Sequence, residues 1–87
     1  MSRIIQTDSR DMKMPGPMIA LARSYRKAKP GDIIELLASD RDVDLRAHQW
    51  CKRTGNKILK VECDEGGVIV VDIKVTHKGK RPSGQVA

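Results

Sequence analysis

Ile69, Val71, Ile73 and Val75 occupy every second position near the end of the chain, and this spacing constrains the fold more than any other feature. Residues two apart on a strand share a face, so four aliphatic groups fall on one side of a sheet. An earlier run alternates in the same way, with Leu59, Val61 and Cys63 separated by Lys60 and Glu62. Between the runs lies Asp64-Glu65-Gly66-Gly67, so the two segments read as a hairpin around a Gly-containing turn, with Cys63 on the face turned to the core.

Upstream, Arg3-Ile4-Ile5-Gln6 is a short strand followed by a polar stretch from Thr7 to Lys13. Met14-Pro15-Gly16-Pro17 then punctuates the chain, and proline is well tolerated in a first helical turn. Met18, Leu21, Ala22, Tyr25 and Ala28 follow at helical spacing, which predicts an amphipathic helix over residues 16–29. Lys29-Pro30-Gly31-Asp32 stops it. The apolar run Ile33–Ala38 reads as a central strand buried on both faces. Ser39, Asp40 and Asp42 offer capping oxygens for a second helix, whose apolar stripe is Val43, Ala47, Trp50, Cys51 and Thr54. Gly55-Asn56 supplies its stop. The order is βαβαββ. It predicts an α+β two-layer sandwich with both helices on one face of a four-stranded mixed sheet.

Eighty-seven residues hold one core, expected over residues 1–76. The net charge is +6, and half of the excess comes from Lys78, Lys80 and Arg81 in the acid-free end HKGKRPSGQVA. Residues 77–87 are expected to be a disordered basic tail. With 39% hydrophobic and 32% charged residues the chain suits a soluble globule. No apolar run approaches the roughly 20 residues of a membrane span, and MSRIIQTDSR lacks a signal peptide's apolar core. Two cysteines are too few for a disulfide scaffold and point to a reducing cytoplasm. Tyr25 and Trp50 are the only aromatics. The core is therefore aliphatic, and single-stranded nucleic acid would find few stacking platforms.

The stretch Asp8-Ser9-Arg10-Asp11-Met12-Lys13-Met14-Pro15-Gly16-Pro17 resembles the Asp-x-Arg-Gly-Leu-x-Cys-Pro-x-Pro motif of the TusA/SirA-like sulfur carriers. Further matches are Lys29-Pro30-Gly31-Asp32, Ala38-Ser39-Asp40 and Trp50-Cys51-Lys52-Arg53-Thr54-Gly55-Asn56, so the resemblance spans roughly residues 4–75. It implies a βαβαββ fold and a protein of sulfur trafficking. It also implies partners that are sulfurtransferases or sulfur acceptors, some of them thiolating tRNA, and a partner surface shaped by Arg10, Met14, Pro15 and Pro17. In that family the cysteine before Pro-x-Pro carries sulfane sulfur as a persulfide.

Here that position is Met14, whose thioether neither ionises nor forms a persulfide. Asp11 replaces the motif's glycine. Three explanations stand open: a substitution in an otherwise ordinary carrier, a natural branch that keeps the fold for docking, or transfer of the chemistry to another thiol. Cys51 and Cys63 are the alternative thiols, and packing is the expected role of both.

His48 and Cys51 lie three apart on a helix, but two ligands make no zinc site, so neither metal nor cofactor is expected. Met12, Met14 and Met18 suit an adaptable partner-facing patch, with Met18 in the core. The Pro-Gly-Pro turn places Met14 beside backbone N–H groups where an anion is able to bind. Arg23, Arg26 and Lys27, with Lys29 and with Arg10 and Lys13 near its start, form a basic face that is first of all a solvated helix surface, with docking to an acidic protein or an RNA as its functional reading. The alternative function is a small regulatory protein that binds RNA through this helix and the tail. No Ser-His-Asp order, phosphate loop or acid pair supports an independent enzyme.

Overall fold

Residues 3–76, the part described by the computed structural model, form β1 (Ile4–Ser9), α1 (Gly16–Lys27), β2 (Ile33–Ala38), α2 (Asp42–Thr54), β3 (Lys57–Cys63) and β4 (Ile69–Lys74). The strands make one mixed sheet in the order β1-β2-β4-β3. β1 runs parallel to β2, and β4 is antiparallel to both β2 and β3. α1 packs on β1 and β2, and α2 packs on β3 and β4. This is the expected two-layer βαβαββ sandwich.

The alternation in β4 sets the layering. Ile69, Val71, Ile73 and Val75 are all buried, and across the ladder they meet Ala38, Leu36 and Ile34 of β2 on the same face. Leu21 of α1 and Ala28 just after it cover this face, and Val43, Ala47, Trp50 and Cys51 cover it from α2. Apolar side chains so enclosed supply most of the driving force for folding. Tyr25 and Trp50 meet edge to face with centroids 5.1 Å apart, so the two aromatics join one helix to the other.

Five local features differ from the sequence reading. β1 continues to Ser9, because the inward residues Thr7 and Ser9 are polar and mask the alternation. Their hydroxyls are satisfied, Thr7 with Ser24 at 2.6 Å and Ser9 donating to the Leu37 carbonyl at 2.6 Å. β2 is fully buried on one face only. Ile33, Glu35 and Leu37 lie half-buried on the other, which no helix covers. In β3 a register shift between Ile58 and Lys60 leaves Leu59 as an extra residue, 49% exposed. Cys63 keeps the inward register opposite Ile69, yet it ends an edge strand and is exposed. Finally, α1 stops at Lys27, short of the expected residue 29, whereas Asp40 at the start of α2 supplies an oxygen as expected, its Oδ1 accepting the Asp42 N–H at 2.9 Å.

Two buried polar side chains tie the loops to the sheet. The Asp32 carboxylate accepts the Lys29 N–H at 2.9 Å, the Arg3 N–H at 3.3 Å and the Arg3 Nε–H at 3.2 Å. The Lys29 amide first, with Arg3 behind it, holds this carboxyl below its ordinary value of 3.8. At the other end of the chain Asn56 Oδ1 accepts the Thr76 N–H at 3.0 Å, while Asn56 Nδ2 donates to Thr54 Oγ1 at 2.8 Å. Between them Gly55 closes α2 at φ 81°, with its N–H on the Cys51 carbonyl at 2.8 Å.

Two predictions follow from these ties. Gly55→Ala places a Cβ in the left-handed region and lowers unfolding stability by about 1 kcal/mol in urea titration. Asp32 has a depressed folded pKa, so its contribution is full above its unfolded value of 3.8 and disappears as pH falls through the lower folded value. Asp32→Asn therefore lowers the thermal midpoint at neutral pH. The difference from wild type shrinks below that value, as calorimetry across the acid range will read.

Candidate functional site

The motif loop leaves β1 at Ser9, on one edge of the sheet. Arg10 folds back on Asp8: its Nε–H and Nη2–H donate to the carboxylate at 2.9 and 2.6 Å, and its backbone N–H does so at 3.1 Å. The guanidinium holds the Asp8 carboxyl down at about 2. The Asp-x-Arg pair thus closes on itself at the surface.

The loop then tightens through the Met12 N–H to the Ser9 carbonyl at 3.1 Å and the Gly16 N–H to the Lys13 carbonyl at 2.7 Å. Glycine at position 16 is a packing requirement. A Cβ built there lies 2.8 Å from the Met12 Cβ. Pro17 is fully buried and supports the turn from beneath, so its place in a partner surface is indirect. Pro15 is exposed and Met14 half-buried against the core.

The structure corrects the expected anion site beside Met14. Pro15 and Pro17 have no N–H, the Gly16 N–H is taken by Lys13, and the Met18 and Ile19 N–H groups donate to the Pro15 carbonyl at 3.0 and 3.1 Å. The first turn of α1 therefore has no free backbone donor for an anion, although the positive end of the helix dipole remains.

Met14 instead lines a groove of about 740 Å³ between α1 and α2. β1 is parallel to β2, and β2 and β3 are both antiparallel to β4, so the two helices return across the sheet in the same direction. Met14, Met18, Ile19, Ala22 and Trp50 give the groove its apolar lining. Arg23 and Arg26 of α1 line one side, and Arg46 and Arg53 of α2, with Gln49, line the other. All four arginines are exposed. Met18 is partly buried and serves core and groove together. Of the expected partner-binding residues, Met14, Pro15, Arg23 and Arg26 converge here. Arg10 and Lys27 do not.

Sequence reasoning missed Arg46, Arg53 and Ile19. The signal was present, since residues seven apart on a helix share a face and Arg46 and Arg53 flank Trp50 in this way. The apolar stripe of α2 identified its buried side and left the partner of the other side unspecified.

The two thiols have opposite settings. Cys51 is buried, and the loss of solvent pushes its pKa up to about 11, while the C-terminal half of α2 disfavours an anion as well. Cys63 is exposed on β3, at the opposite edge of the sheet from β1, with its Sγ–H directed to the Asp64 carbonyl at 3.6 Å. His48 is exposed and bound to Asp44, through Nδ1 to the carbonyl at 2.8 Å and to the carboxylate at 3.1 Å. It does not meet the buried Cys51 sulfur at a common site. Among the described residues no helix is long and apolar enough to cross a membrane. The expected basic tail, residues 77–87, lies outside the described residues.

Comparison with known proteins agrees with the motif and the topology. A protein of Archaeoglobus fulgidus named "Putative sulfur carrier protein" is 24% identical over 62 residues, covering 71% of this chain and 85% of that protein. A protein of the same name from Aquifex aeolicus is 28% identical over 76 residues, covering 87% of this chain. The match spans only 38% of that longer relative. The family model described as "Sulfurtransferase TusA" matches residues 5–75, nearly the whole described fold from β1 to the end of β4. The chain belongs to the TusA sulfurtransferase family.

Proposed function

We propose that this protein serves sulfur trafficking as a docking module that engages a sulfurtransferase or a sulfur acceptor without bearing persulfide at residue 14. The observation that carries this reading is Met14 itself. Apart from Asp11 in the glycine position, the motif frame around it is kept in the Asp8–Arg10 pair, the Pro15-Gly16-Pro17 turn and the start of α1. The atom that would accept sulfur is a methyl-capped thioether, which has no proton to lose and no free valence for a sulfur–sulfur bond. Neither remaining cysteine lies in this frame. Cys51 is buried and held as a thiol, and Cys63 sits across the sheet. The relay so served works in the cytoplasm and ends in tRNA thiolation or another sulfur-requiring product.

Incubation with a persulfide donor, followed by intact-mass spectrometry and exposure to an acceptor thiol, tests the reading. The wild-type chain is expected to hand on no sulfur. A one-sulfur adduct on Cys63 that moves to the acceptor would overturn the proposal and make β3 the carrying element. Thiol alkylation at neutral pH reads the same residues, with Cys63 modified at least tenfold faster than Cys51 in the folded protein. Met14→Cys is expected to gain a transferable persulfide, because the dipole of α1 favours a thiolate there.

A further inference from the structure

The groove between α1 and α2 combines two surfaces that usually lie apart. Its lining is apolar, with Ile19 half exposed beside Met18 and Ala22. All of its charges are positive: Arg23, Arg26, Arg46 and Arg53 line it, and no acidic residue does. None of the four has an ion pair among the described residues, whereas Arg3 and Arg10 are each paired with an aspartate. Four unneutralised guanidinium groups around an apolar trough repel one another, and a ligand that is both apolar and anionic relieves that repulsion while covering the trough.

Spacing narrows the ligand further. Arg46 and Arg53 stand two turns apart on α2, about 10.5 Å along its axis, and Arg23 and Arg26 stand about 4.5 Å apart on α1. A helix lying along the groove presents carboxylates at the same intervals on its two flanks, with a row of leucine-like side chains between them. Two helices running in one direction also form the groove into which a third packs by ridges. A nucleic-acid base fits less well. Trp50 is 7% exposed and meets Tyr25 edge to face, so it offers no open ring face for stacking.

We propose that the α1–α2 groove receives an acidic amphipathic helix of a partner protein, with its apolar side chains on Met18, Ile19 and Ala22 and its carboxylates on Arg23, Arg26, Arg46 and Arg53. This inference rests on the docking-module reading and names the chemistry of the partner's contact element. Met14 is part of the groove lining, so the docked helix lies against the position where the family motif has its sulfur.

The probe is a fluorescein-labelled synthetic helix about 18 residues long, with leucines at i, i+3, i+4 and i+7 flanked by glutamates. Fluorescence anisotropy with the full-length chain is expected to show saturable binding that weakens as salt is raised. Arg46→Gln with Arg53→Gln should weaken it at least tenfold, and Ile19→Ala should weaken it by a factor independent of salt. All three positions are exposed, and an unchanged thermal midpoint will show that the variants fold. Equal binding of a glutamine-for-glutamate probe would overturn the proposal. So would indifference to the arginine and Ile19 substitutions, or binding of an oligouridylate of the same charge in place of the peptide. The sulfur-relay experiment is read separately. Sulfur passing through Cys63 would sink the docking-module reading, whereas a probe that ignores the groove sinks only the present inference.

Discussion

One-sided burial of the sheet governs the whole molecule. β4 and β2 direct Ile69, Val71, Ile73, Ile34, Leu36 and Ala38 to the same face, and Val75 beyond β4 is buried with them. Both helices must therefore lie there side by side, leaving the other face without a layer. Because the strands on either side of each crossover are parallel, the helices run in the same direction. The Tyr25–Trp50 contact then fixes α1 against α2. The groove is the outer consequence of that packing, and its apolar lining is continuous with the core through Met14, Met18 and Trp50.

The motif loop is closely bonded to itself. Its two prolines lack amide hydrogens, and its remaining first-turn N–H groups are bonded to Lys13 and Pro15. Gly16 is held against Met12 with no room for a side chain. Such a loop presents residue 14 in a defined place, with the first-turn amides that follow it already bonded. A thiol in that place is helped only by the dipole of α1, and a thioether is held as an apolar contact. The Asp8–Arg10 pair belongs to the same stretch. It fixes the exit from β1 without offering a free charge.

Charge follows a related division. Outside the groove some acidic and basic groups pair, as with Arg3 and Asp32, Arg10 and Asp8, or Lys60 and Glu62 at 3.8 Å. On the open face of the sheet, burial and then the neighbouring Glu35 raise the Asp72 carboxyl. The groove alone gathers arginines from two helices without an acid among them. A net positive chain is thereby given a direction, which long-range steering by itself does not provide.

The sequence alone determined the order of elements, the layer architecture and the inward faces of β4 and α2, because periods of two and about 3.6 report burial directly wherever the inward residues are apolar. It also located the motif and the thioether of Met14 that stands where the family motif has a thiol, since residue identity at one position is read directly. It misjudged β1, where Thr7 and Ser9 are inward but polar, and the exposure of Cys63, which depends on strand order and the bulge at Leu59. Only the tertiary structure decided that the first-turn amides are occupied and that Arg46 and Arg53 face Arg23 and Arg26. Each of these depends on distances between segments far apart in the chain, and local patterning carries no record of which helix lies beside which.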